Sequence, residues 1–124
     1  MSAGNPWWRR TDVQRLLNLT PAQVERLDTI FEKDRPERLA LRRKIKEMDR
    51  LLRRVLMRGN AEDTAIKRLS EQVEALRAQH NVRRTMMRFA LLRRLTPEQR
   101  SLLARLRETG AAGMAAGPDR GSGG

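Results

Sequence analysis

The chain has 124 residues, a formal net charge of +12 from 27 Lys and Arg against 15 Asp and Glu, and no cysteine. Disulfides, thiolate nucleophiles and Cys-based zinc sites are therefore excluded, and 39% hydrophobic with 3% aromatic residues leaves no large globular core. Arg supplies 23 of the basic groups, and its planar fork pairs bidentately or lies on apolar surface, so an acidic, amphipathic or nucleic-acid partner is expected.

Residues 1–10 read as a flexible N-terminal arm in which Trp7 and Trp8 either dock on the rest of the chain or contact a partner. The polar start Met1-Ser2-Ala3-Gly4-Asn5 has no signal-peptide pattern, and is also what would remain where a leader had been replaced. Thr11 and Asp12 offer a helix start, with Val13, Leu16 and Leu17 as its apolar stripe. Next comes the pentad Leu19-Thr20-Pro21-Ala22-Gln23. Thr20 sits at an N-cap, Pro21 at the first helical position, and Gln23 three residues after the cap, which together make a capping box. Leu19 and Val24 are placed as a hydrophobic staple.

The helical pattern then continues to about Met57. Leu41, Ile45, Met48, Leu52 and Val55 recur at steps of four and three, a heptad seam. Pro36 interrupts it, so a kink is expected there, with a restart if Asp34 and Glu37 form a capping box of their own. Gly59-Asn60 reads as a stop and a new cap. A second long helix is expected from about Ala61 to Arg93, with Ile66, Leu69, Val73, Leu76 and His80 on its seam. Its apolar face widens at Val82, Met86, Met87, Phe89, Ala90, Leu91 and Leu92. A second pentad, Leu95-Thr96-Pro97-Glu98-Gln99, repeats the capping box and opens a short helix to about Glu108. Here Arg100 stands where a staple would need an apolar partner. Residues 110–124, rich in Gly and Ala, read as a disordered tail.

No segment alternates with period two, and no apolar run approaches the roughly 20 residues that span a bilayer. The expected fold is all-α: a domain over residues 11–109 built as a four-helix hairpin, two long antiparallel helices and two short ones. A single hairpin buries one side of each helix, so a homodimer is expected.

A short helix, LTPAQ, a long helical hairpin, and LTPEQR before a final short helix resemble the Spy/CpxP family of periplasmic proteins named for paired LTxxQ motifs. The Trp7-Trp8 entry is also similar to that group and to its heavy-metal sensor and resistance branch. The resemblance spans roughly residues 7 to 108. It implies a curved, cradle-like homodimer in the periplasm that holds unfolded or partly folded clients on a basic, amphipathic concave surface without ATP. It also implies two alternatives, a metal sensor or resistance protein of the same fold and a regulatory partner of a membrane sensor protein.

Arg35, Arg38, Arg42, Lys46 and Arg53 recur at helical spacing beside the seam, with Arg50 nearby; Arg77, Arg84 and Arg88 do the same on the second long helix. A solvated face is the ordinary reading of such charges. In the functional reading they attract acidic, amphipathic segments and speed encounter. Met86, Met87 and Phe89, with Leu92, read either as core or as an adaptable binding surface to which Met is suited. His80 is the one histidine. A single His forms no typical zinc site by itself, and metal binding would need a second copy or help from Met86 and Met87. No cofactor is expected. Catalysis has no visible machinery: no Cys, one His, no phosphate-cradling Gly loop and no carboxylate pair. A nucleic-acid-binding hairpin would explain the Arg content, but the aromatics are too few for a stacking platform and no recognised motif is present.

Overall fold

Pro21 and Pro97 each open a helix in the computed structural model, which describes residues 6–109. A 3-10 turn, Trp7–Arg9, precedes α1 (Thr11–Leu17), α2 (Pro21–Arg58), α3 (Asp63–Leu92) and α4 (Pro97–Glu108). The all-α fold with two long and two short helices stands as expected, with no strand among the described residues. The expected tail at 110–124 and the first five residues of the arm lie outside the described residues.

Three local expectations need correction. The described part of the arm is docked rather than loose, because Trp7 and Trp8 are buried. α2 is one continuous helix through Pro36, so the restart is absent. Proline removes one backbone donor, and Asp34 engages Arg38 and Arg83 instead of capping a new helix. At the turn, Gly59 takes the left-handed conformation expected of it, with φ 72°. Asn60 does not cap α3. The Glu62 carbonyl accepts from the N–H groups of Ala65 and Ile66 at 3.0 and 3.1 Å, so the helix begins two residues later than expected.

The chain divides into two compact units. One takes the chain up to Lys33 and again from Met87. Its core is Trp7, Trp8, Val13, Leu17, Leu27, Phe31, Leu91, Leu95 and Leu103, with Leu19, Val24, Ile30, Met87, Leu92 and Leu106 packed against it. Leu19 and Val24 are thus both drawn onto the core, as a staple requires. The α1 stripe is narrower than expected, since Val13 and Leu17 are buried while Leu16 is exposed. Asn18 ends α1 at φ 55°. Its N–H donates to the Arg15 carbonyl at 3.1 Å and that of Leu19 to the Gln14 carbonyl at 2.9 Å, the two bonds of a Schellman motif.

The second unit is Asp34–Met86, the hairpin proper. Val73 is its single buried hydrophobic residue among those described; Arg38 and His80 are buried beside it in rank. The seam residues Leu41, Ile45, Met48, Leu52 and Val55 remain half-buried. Ion pairs tie the two legs. Asp34 binds Arg38 four residues on and Arg83 across. Asp49 repeats the arrangement with Arg53 at 2.8 Å and Arg77 at 3.4 Å. The acid later in α2 reaches the Arg earlier in α3, so the legs are antiparallel.

Candidate functional site

The two pentads meet. Within each, the box closes as the spacing requires: the Thr20 hydroxyl accepts from the Gln23 N–H at 3.0 Å, and the Gln23 side-chain oxygen accepts from the Thr20 N–H at 3.0 Å. Thr96 and Gln99 do the same at 3.1 and 2.9 Å. The two side-chain amides then bond each other. Gln23 Nε2 donates to Gln99 Oε1 at 2.8 Å, and Gln99 Nε2 donates to Gln23 Oε1 at 3.1 Å. The remaining donors go to backbone carbonyls, Gln23 to Arg94 at 3.2 Å and Gln99 to Leu17 at 3.1 Å. An amide has two donors and an oxygen with two lone pairs. All are engaged in both residues, so the pair costs no unsatisfied polar group although Gln99 is buried.

Arg100 gives the missing second staple a different use. Its Nη1 donates to the carbonyls of Leu92 and Leu95, at 3.3 and 2.8 Å, where α3 ends. A cation there also complements the negative end of the helix dipole. Leu95 is itself buried in the core.

The tryptophans form a second fixed point in the same unit. Trp8 packs edge-on against Trp7 and Phe31, with both centroid distances 5.3 Å. Its indole N–H donates to Asp28 Oδ1 at 2.6 Å. Arg9 binds the same oxygen at 2.7 Å and reaches Glu32 at 2.8 Å. Hydrogen bonds to Glu32 and then Asp28 raise the Arg9 pKa above its ordinary value.

Around these fixed points the unit presents cations. Arg26, Arg93 and Arg94 line an open groove of about 330 Å³ with Ala22 and Gln23. Arg93 also stands over the exposed Phe89 ring at 5.5 Å. Arg107 has its Nε buried without a hydrogen-bond partner. Burial first, and the nearby Arg88 charge second, lower its pKa.

A family model described as LTXXQ motif family protein matches residues 7–107. The chain belongs to the LTXXQ family. This is the Spy/CpxP-type family, and its proteins are not enzymes. No curated protein and no solved structure matches the chain.

The LTXXQ motifs are therefore architecture in this chain: Leu19, Thr20, Pro21 and Gln23 join Leu95, Thr96, Pro97 and Gln99 through the amide pair. The expected basic residues divide. Lys46, Arg50 and Arg53 are exposed on the hairpin unit, as are Arg35 on that unit and Arg88 on the other. Arg42 and Arg84 are half-buried. Arg38 is only 7% exposed and bonded to Asp34, so it belongs to the interior of the hairpin and not to a binding face. The wide apolar face of α3 also divides. Met87 packs on the core, whereas Val82, Met86 and Phe89, at steps of four and three, are all more than half exposed. His80 is buried. Among the described residues no three His, Cys, Asp or Glu side chains gather into a metal-ligand group, and no helix is long and apolar enough to cross a membrane.

The sequence reading did not foresee Asn18, Asp28, Asp34 or Asp49 as organising residues. For Asn18 the signal was present, since Asn follows Gly in tolerance of the left-handed conformation that ends helices. Asp34 and Asp49 had a local signal in the Arg four residues after each, but their bonds across to Arg83 and Arg77, like those of Asp28 to Trp8 and Arg9, span long sequence separations and left no local pattern.

Proposed function

We propose that this LTXXQ-family protein is an ATP-independent periplasmic chaperone that captures unfolded or partly folded clients. Family membership over residues 7–107 is the observation that carries the reading. The outward α3 residues Val82, Met86 and Phe89 supply adaptable apolar contact, and a Met is well suited to partners of varied shape. Lys46, Arg50, Arg53, Arg84 and Arg88 attract clients that carry acidic residues, while Arg35 and Arg42 line the same flank of α2 by helical register. Attraction of this kind raises the rate of encounter more than the affinity. Arg38 has no part in it. A homodimer would cover some of the half-buried seam of the hairpin, and family resemblance points to a membrane sensor protein as a regulatory partner.

The test is aggregation of a chemically unfolded model protein with and without this one. Suppression at stoichiometric amounts is expected, weakened several-fold by Met86→Ser with Phe89→Ser, and slowed in onset by Lys46→Gln with Arg50→Gln. No suppression by the unaltered chain would overturn the reading.

A further inference from the structure

The end of α2 before the Gly59 turn carries more than the Arg50 and Arg53 assigned to client capture. From Arg50 to Arg58 the exposed residues are Arg50, Arg53, Arg54, Leu56, Met57 and Arg58. At 100° per residue, Met57 falls at the centre of the arc spanned by Arg53, Arg50 and Arg54. Met57 is 86% exposed and Leu56 52%. Arg53, Arg54, Met57 and Arg58 line a shallow open depression of about 410 Å³. The carboxylate that serves this stretch, Asp49, is shared between Arg53 and Arg77. Among the described residues Arg50, Arg54 and Arg58 have no carboxylate within ion-pair distance.

We propose that this tip, with Arg50, Arg54 and Arg58 along one side of Met57 and Leu56 on the other, is an interfacial contact for an anionic phospholipid bilayer. Two features select that partner. The first is charge complementarity: guanidinium groups without partners match a plane of lipid phosphates, and each such group adds attraction near an anionic surface. The second is the protruding apolar pair. A phosphate backbone of nucleic acid offers Met57 and Leu56 nothing to bury against, whereas a bilayer offers acyl chains just beneath its phosphates. A solitary exposed Met is ordinary on a protein surface; a Met with unneutralised Arg along one side and an exposed Leu on the other, at a hairpin turn, is the arrangement of an interfacial anchor. The hairpin contains no helix able to span the bilayer, so the contact lies on the surface. Arg50 is shared with client capture, but Arg54, Met57 and Arg58 are not, and the variants below fall on those three, so either reading can fail alone.

The experiment is flotation of the full chain with vesicles of mixed phosphatidylglycerol and phosphatidylcholine, against vesicles of phosphatidylcholine only. Binding to the anionic vesicles alone is expected. Arg54→Gln with Arg58→Gln should reduce partitioning at least about tenfold. Arg15→Gln with Arg105→Gln, which lowers net charge equally from exposed positions in the other unit, should reduce it less than about threefold. Met57→Ser should lose about fivefold and leave a binding that added salt abolishes more readily. Unchanged far-ultraviolet circular dichroism verifies that each variant is folded. Equal losses in the two Arg pairs would mean adsorption by net charge and would overturn the proposal. So would an unaffected Met57→Ser, or displacement of the tip from vesicles by a duplex oligonucleotide at lower concentration than by soluble phosphatidylglycerol.

Discussion

α2 and α3 each pass through both compact units, yet the same two helices are held in different ways along their length. In the unit that contains the pentads they join nine buried hydrophobic residues, two of them Trp. In the hairpin unit Val73 is buried alone among the described hydrophobic residues, and acids shared between Arg residues link the legs. The difference follows from what each stretch is given to pack on. The first has a docked Trp turn and two short helices to cover it. The second has only its opposite leg, and two helices in contact bury only one side of each. One chain thus combines a unit with a buried apolar core and a helix pair held largely by ion pairs.

Breaking the unit with the apolar core should have the largest effect. Trp8→Ala removes a side chain that is 1% exposed and should cost about 3–5 kcal/mol in denaturant unfolding. Gln99→Leu comes next. It strips Gln23 of an amide partner and should cost about 2–3 kcal/mol. Adding Gln23→Leu should cost less than the sum of the two single changes, because the double variant leaves no orphaned amide. A fully additive result would dissolve the pair as a unit. In the hairpin, Val73→Ala should cost about 1–2 kcal/mol, and amide exchange should accelerate on both legs while the pentad region stays protected. If the protection fell equally everywhere, the contrast between units would be wrong.

Much of the unit that holds the pentads was legible beforehand because its signals are local. A Thr cap, a Pro after it and a Gln at the third position specify a helix start within four residues, and both starts lie where that rule puts them. Gly59 was equally plain. The meeting of Gln23 with Gln99 was not, since a capping box is complete with one oxygen per Gln and nothing local says where the amide nitrogen goes. The repetition itself was the clue. Arg38 misled for a related reason. Helical register set it beside the exposed Arg residues, but an acid four residues earlier and packing from the other leg draw it inward. Likewise Met86 and Met87 read as one surface, although one step of 100° sends Met87 to the core and leaves Met86 outside.

Smaller effects sharpen the comparison through charge. Asp49→Asn weakens the links to Arg53 and Arg77 and should cost about 0.5–1 kcal/mol, with the cost shrinking in high salt. Its effect should be confined to hairpin amides. The smallest effect concerns Asp12, whose exposed carboxylate is held below its usual pKa first by the hydrogen bond from Arg10. A lowered folded pKa contributes stability above the unfolded value of about 3.9, and that contribution fades as pH falls through the folded value. NMR titration should place Asp12 below the ordinary aspartate range, and Arg10→Gln should return it upward.

The paired glutamines carry a further consequence. A joint made of two neutral amides has no proton to gain and no charge for salt to screen. Acid or brine that loosens the ionic links between the hairpin legs leaves this clasp untouched. Under such stress the hairpin legs should part while the pentad joint stays closed.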